Sequence, residues 1–316
     1  MPRGRNKKSR SIQLLEYLAV RAAVGIAQLL PLRVLYTVGA TLGHLFYLLA
    51  ARRRAIALDN LRQAYRGTIA EAKLRALARQ SFSSFFFTAM EFIKMRLFLP
   101  KSANTDDLRT YPQAIRDLFT KARRIHDEAH GCIFVTPHLG NWELLPPVSS
   151  MVGISLAVVV RPLDNPFLER MLYANRAANG QVIIPKRNAF FALQKLLQEG
   201  KSIGMLPDQS TKKGILVEFM GRKAMTTPIP AVLAITHQRP VVVVACCRGS
   251  SSSGFEGFVS DPIWPTPDYA SEKAEIFRIT EAMQREMETM IRRHPEQYLW
   301  MHDRWKAYRT RKQFLG

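Results

Sequence analysis

His138 and Glu143 lie in the stretch GCIFVTPHLGNWELL, residues 131–145, and both residue types suit proton transfer. Imidazole accepts a proton near neutral pH, but its tautomer must be fixed by a partner on the other ring nitrogen. A carboxylate folding back from a helix start meets that need, so the pair reads as a general base, His138, with Glu143 as its orienter. No Gly-x-Ser-x-Gly elbow is present, so the attacking oxygen is expected from a bound alcohol and not from the protein. The same residues also allow a reading without chemistry. Asn141 would cap a helix, Glu143 would sit favourably on its dipole, and His138 would be a solvated turn residue.

Several elements must position such a pair. The apolar run 132–136 reads as a buried strand, Pro137 breaks it, 138–141 is a turn, and a helix starts at Trp142. Reactive groups in open α/β sheets stand beyond the carboxyl ends of the strands, which is where His138 falls. The pattern recurs downstream. A strand over 154–160 ends in Arg161-Pro162-Leu163-Asp164-Asn165-Pro166, and a strand over 202–206 ends in Pro207-Asp208-Gln209. Helices are expected over 167–179 and 188–198, with a short strand over 181–184 between them. The alternation predicts an α/β fold, a largely parallel central sheet with helices on both faces.

Arg161 offers a charged fork of donors for a phosphate or a developing oxyanion; alternatively it pairs with Asp164 or caps a helix. Asp208 is a third polar group at a strand end, and Lys186, Arg187, Lys212 and Lys213 add charge near the same rim. The segment 219–227, FMGRKAMTT, reads as a loop entering a helix over 229–237. Arg222 and Lys223 precede that helix start, a favourable place for phosphate. His237 reads as a capping residue at its far end.

The chain of 316 residues carries 46 Lys and Arg against 25 Asp and Glu, a formal charge of +21, which implies an anionic partner. Of the three cysteines, two are adjacent and one lies in an apolar strand, so neither a disulfide framework nor a metal site is expected. No cofactor is required.

Residues 1–11 form a basic arm without apolar content. Residues 12–30 suit an amphipathic interfacial helix. Residues 34–51 have no charged side chain and would reach roughly 27 Å as a helix, close to a bilayer core. Basic residues flank both ends of the pair, which favours an embedded hairpin or interfacial anchor over one clean span. A buried core helix and a signal peptide are the other readings of this region. The Phe- and Met-rich stretch 81–98 is either core or the wall of a groove for a long hydrocarbon chain. Trp300, Trp305 and Tyr308 beside Arg304, Lys306, Arg309, Arg311 and Lys312 suit a membrane interface. The expected division is a basic arm over 1–11, membrane-anchoring helices over 12–51, and an α/β domain over 52–316.

His138 and Glu143 fit the His-x-x-x-x-Asp/Glu signature of the lysophospholipid acyltransferase superfamily. Together with VVVRPLDNP, IGMLPDQ, FMGRKAMTTPIPAVLA and QYLWMHDRWK, HLGNWE resembles the lipid A late acyltransferases of bacterial envelope synthesis. The resemblance runs from RRRAIALDNLRQAY at 52–65 through Lys306. It implies an acyltransferase with His138, Glu143 and Arg161 in catalysis, and Asn141, Trp142, Asn165, Asp208, Gln209, Arg222 and Lys223 against substrate. It also implies an acyl-carrier-protein or acyl-CoA thioester donor, an anionic lipid acceptor and a place on the cytoplasmic face of the bacterial inner membrane. A lysophospholipid, glycolipid or aminolipid acceptor would use the same machinery. A non-catalytic membrane protein and a nucleic-acid-binding protein are the rivals of another class; against the latter, no helix-turn-helix, zinc or RNP-like motif is evident.

Overall fold

The computed structural model describes residues 8–99, 113–160, 162–178, 181–185, 189–249 and 254–306. Several expectations lie outside the described residues: most of the basic arm, Arg161, Lys186, Arg187, and Tyr308 to Lys312.

Among the described residues eight strands occur: β1 (Ile133–Val135), β2 (Leu156–Val160), β3 (Val182–Pro185), β4 (Ser202–Met205), β5 (Ile215–Phe219), β6 (Arg222–Thr226), β7 (Val241–Arg248) and β8 (Phe255–Val259). Six of them form one sheet in the order β3-β2-β4-β1-β7-β8, parallel except for β8 at the edge. Ile133 of β1 registers with Ile203 of β4 on one side and with Val241 of β7 on the other. The chain therefore leaves β1 for β2 and β3, then returns to insert β4 beside β1. That reversal of strand order opens a crevice at the carboxyl ends of β1 and β4.

The helices are α1 (Arg10–Leu29), α2 (Leu32–Leu49), α3 (Ala51–Tyr65), α4 (Glu71–Ile93), α5 (Gln113–Ala129), α6 (Leu145–Met151), α7 (Pro166–Ala178), α8 (Ala189–Gln198), α9 (Ile229–His237) and α10 (Glu272–Arg293). Side chains alternate across the sheet with the strand period of two. Ile133, Val135, Ile203, Val241 and Val243 pack with Leu193, Leu197, Ala231, Leu233, Ile279 and Met283 of α8, α9 and α10. Phe134, Leu156 and Val242 face the other way, onto Ile125 of α5 and Val152. Burying such a side chain contributes roughly 1.5–3 kcal/mol. A slip of one residue would turn each of them to the wrong face, so the register of β1 is strongly specified.

The segment 219–227 is not the expected loop. β5 and β6 pair antiparallel, Phe219 opposite Arg222, around a two-residue turn in which Met220 and Gly221 both have positive φ, 51° and 70°. Such turns match the twist of a hairpin but are usually signalled by Asn-Gly or Asp-Gly, and here a Met hides the signal. Arg222 and Lys223 thus lie on a strand and not at a helix start.

In the N-terminal layer, α2 lies along α4. Leu35, Gly39 and Gly43 form its buried face. A Cβ on Gly43 would stand 2.5 Å from the Ser83 Cα, so only glycine permits this approach. Phe46 packs at a tilt on Phe82 at 5.4 Å and Tyr36 edge-on to Phe87 at 5.3 Å between ring centroids. The Phe-rich stretch of α4 is therefore mainly a helix–helix seam. The outward faces stay apolar and uncovered, with Leu15, Ile26 and Leu29 exposed on α1 and Leu42, Leu45 and Leu49 on α2. Among the described residues, these two helices are long and apolar enough to cross a membrane by length and composition. Part of the basic run at 52–54 is occupied locally. Arg54 donates to the Tyr47 and Leu48 carbonyls at the end of α2, where orphan acceptors favour a cation.

Trp300 and Trp305 are not at a surface. Both are buried in the main core, Trp300 edge-on to Tyr298 at 4.9 Å and Trp305 6.0 Å from Phe219. Their indole N–H groups donate to the Pro295 and Arg222 carbonyls, which lets the rings leave water.

Candidate active site

His138 follows β1 and Asp208 follows β4, so adjacent parallel strands deliver both to one place. The Asp208 carboxylate accepts the His138 backbone N–H at 2.7 Å and lies 2.7 Å from the ring Nδ1. A carboxylate only accepts, so Nδ1 carries a proton, and in the neutral ring Nε2 is the nitrogen left with the lone pair. The amide of Gln209, an exposed residue, stands 3.2 Å from Nε2. Trp142 packs edge-on to the imidazole with centroids 5.1 Å apart. The result is a ring fixed in orientation, with Nδ1 turned to a buried carboxylate and Nε2 beside an exposed glutamine.

Asp208 is buried to 2% exposure. Burial alone would raise its pKa, but the charge of His138, the two bonds to it and the Arg304 guanidinium outweigh that, and the carboxyl stays below its usual value. Arg304 is itself buried. It donates to the Met225 carbonyl at 2.8 Å and the Thr226 hydroxyl at 2.6 Å, which links the strand-end carboxylate to the β5–β6 hairpin. Burial, followed by the Asp208 charge, pushes the Tyr298 hydroxyl well above its ordinary pKa, so the tyrosine stays neutral beside the carboxylate.

Glu143 does not orient His138. Asn141 accepts the Glu143 N–H at 3.1 Å and starts a single 3-10 turn over Trp142–Leu144, which directs the Glu143 carboxylate to α7. There both its oxygens lie 3.0 Å from the Arg176 guanidinium. The carboxylate bonded to the ring is the one distant in sequence, because sheet adjacency brings it closer than the short turn brings Glu143.

The turn itself is held on every side. Gly140 has φ +62° and lies so near β7 that a Cβ would stand 2.1 Å from the Cys246 carbonyl oxygen. Asn141 donates its backbone N–H to that oxygen at 2.7 Å. The Leu299 N–H reaches the His138 carbonyl, and the Gly140 N–H reaches the Gln297 carbonyl. Asn141 is fully buried, and its amide donates to Glu91 of α4 at 2.7 Å. It thus caps and anchors the turn and presents nothing to a substrate. Thr88 donates its hydroxyl to the Gly140 carbonyl.

Other residues expected against substrate lie elsewhere. Asn165 is buried, caps α7 through the Phe167 N–H at 3.0 Å, and donates to the Gln13 carbonyl of α1 at 2.7 Å. Arg222 sits 5.9 Å over the Trp305 ring and 4.0 Å from Asp59, and Lys223 is exposed on β6. The structure therefore gathers His138, Trp142, Asp208 and Gln209, while the side-chain contacts of Asn165 are with α1 and α7 and those of Arg222 include Trp305 and Asp59. Glu91 and Arg248 went unrecognised in the sequence. Their signal was present: a lone acid within the apolar stretch FTAMEFI, and a lone base closing an apolar strand. Among the described residues no group of three or more His, Cys, Asp or Glu is placed to hold a metal ion.

Comparison with known proteins bears on what this site does. Residues 5–307 match the sequence profile described as bacterial lipid A biosynthesis acyltransferase. The lipid A biosynthesis palmitoleoyltransferase of Escherichia coli (strain K12) is 25% identical over 281 residues, covering 88% of this chain and 87% of the relative. The lipid A biosynthesis acyltransferase of Shigella flexneri shows the same identity and coverage. With the profile spanning nearly the whole chain, the protein belongs to the bacterial lipid A biosynthesis acyltransferase family and is an acyltransferase.

Proposed function

We propose that the enzyme moves a fatty acyl chain from an acyl-carrier-protein thioester to a hydroxyl of a lipid A precursor, with His138 as general base. An acyl donor and a lipid acceptor come with the family in general terms; the particular donor and acceptor are part of the proposal. The observation that carries it is the geometry of the imidazole: Nδ1 lies 2.7 Å from the Asp208 carboxylate, which leaves Nε2, 3.2 Å from the Gln209 amide, as the lone-pair nitrogen of the neutral ring. An acceptor hydroxyl that displaces the Gln209 amide would donate its proton to Nε2 while its oxygen attacks the thioester carbonyl carbon. Charge moves onto the carbonyl oxygen in the tetrahedral intermediate. The carbon–sulfur bond then breaks, and the imidazolium returns the proton to the departing thiolate. Asp208 stabilises the imidazolium between those two transfers.

In this scheme Glu143 serves through Arg176, holding that cation and the Trp142 turn beside the base. Arg161, which follows β2 in the chain, keeps the oxyanion role that the family resemblance implies. The exposed apolar faces of α1 and α2, with Arg10, Arg33 and Arg52 beside them, would attach the enzyme to an anionic bilayer, in this reading the cytoplasmic face of the inner membrane. Both proposed substrates are anionic, as the charge of +21 requires of a partner.

The test uses membranes carrying native protein or an equal level of His138→Ala. Each is given acyl-carrier-protein or CoA thioester and a radiolabelled lipid A precursor. A more acylated lipid formed by the native protein alone would support base, reaction and acceptor, and the better thioester identifies the donor. Acylation of an offered lysophospholipid in its place would reassign the acceptor. No product with any lipid would overturn the scheme.

A further inference from the structure

Glu91 has no access to solvent, yet it carries a carboxylate. Arg248, at the end of β7, binds it with two nitrogens at 2.6 and 2.8 Å, and also reaches the Ser84 and Thr88 hydroxyls at 2.9 and 2.7 Å. A buried ion pair of this kind is seldom retained for stability, since desolvating both charges costs several kcal/mol. The remaining acceptor capacity of Glu91 has two uses. It takes the Tyr36 hydroxyl of α2 at 2.8 Å and the Asn141 amide at 2.7 Å. Asn141 in turn fixes the turn whose other end is His138. Glu91 is thus the junction of α4, β7, the lipid-facing helix and the reactive turn.

We propose that Glu91 is a positioning residue for His138, acting through the side chain of Asn141, with Arg248 present to neutralise it. The inference rests on the reading of His138 as the base. The Asn141 amide has one orientation in which Nδ2 meets Glu91 and Oδ1 meets the Glu143 N–H, so the carboxylate sets which way the amide faces. Without that acceptor the amide is free to turn and the His138 end of the turn loses its reference. Displacement of a reacting group by about 1 Å is enough to cost on the order of 100-fold in rate.

The experiment compares Glu91→Leu with Glu91→Gln, each made in the full-length Arg248→Met protein. Both then lack the ion pair and differ in whether residue 91 can accept from Asn141. Positioning predicts equal thermal stability to within a few degrees, an unchanged KM for the thioester, and kcat ~10-fold or more higher in the Gln protein than in the Leu protein. Equal kcat in the two, or a difference that follows the folded fraction, would overturn the proposal. Native protein and His138→Ala are run alongside. If native protein is active and His138→Ala is as active, it is the assignment of the base that fails.

Discussion

His138 and Asp208 are separated by seventy residues of sequence and joined by two hydrogen bonds of 2.7 Å, one to the ring and one to the backbone of the histidine. The carboxylate therefore fixes both the rotation of the imidazole and the position of the chain that carries it. This double use distinguishes it from Glu143, which has no bond to the ring and is engaged with Arg176.

The first prediction separates these two carboxylates. Asp208→Asn keeps the shape but presents an amide that can donate, which favours the wrong tautomer of His138. By analogy with the buried carboxylate of serine-protease triads, kcat should fall by roughly 100- to 10,000-fold. Glu143→Gln leaves the Nδ1 bond in place and removes only the pairing with Arg176, so its loss of kcat should be the smaller. Steady-state kinetics on the two variants decide the matter, and the reverse order would restore Glu143 as orienter.

The depressed pKa of Asp208 has a consequence for stability. A carboxylate whose native pKa lies below its unfolded value contributes stability that is complete above the unfolded value and is lost as pH falls through the native one. The unfolded value is about 3.9. The stability difference between native protein and Asp208→Asn should therefore be constant from neutral pH down to about 5, and shrink below it. Denaturant unfolding at a series of pH values measures this, and a difference that grows on acidification would contradict the assignment.

Gly140 should tolerate no side chain. Gly140→Ala places a Cβ in a left-handed backbone and against the Cys246 carbonyl, with strain of order 1–3 kcal/mol from the dihedral alone. Thermal stability should drop and activity fall further than the folded fraction, because the displaced turn carries His138. Gly67, which also has positive φ but open space around it, is the control: Gly67→Ala should leave activity unchanged.

The seam between α2 and α4 is tested by Gly43→Val. The added methyl groups would collide with the Ser83 backbone, so α2 should separate from α4. Faster cleavage in limited proteolysis of the α2–α3 junction would report the separation. Binding to anionic vesicles should persist, since the exposed apolar faces of α1 and α2 remain.

Much of this site could be read from the fifteen residues 131–145, because a β-branched run, a proline break and a polar turn have one economical interpretation as strand, turn and helix start. The identity of the orienter could not. Sequence order places β2 next after β1, while in space β4 lies between them, and nothing local in the chain announces that insertion. The role of Asn141 was half legible: its capping of the Glu143 N–H follows from residue type, whereas its bond to Glu91 needs the packing of α4. Trp300 and Trp305 show the same limit in reverse. Indoles beside arginines suit a bilayer interface or a core with partners for each N–H, and only the contacts with Pro295, Arg222 and Phe219 choose the core.

The clasp between the reactive turn and residues 297–299 ties the geometry of His138 to the packing of that segment. The Gly140 N–H and the His138 carbonyl are both held by its backbone, and the Arg304 guanidinium a few residues on helps keep the Asp208 carboxyl below its usual pKa. Local opening of residues 297–304 would therefore release the turn at two points and weaken the field on Asp208 in the same event, so the His138–Asp208 pair would come apart before the sheet beneath it melts.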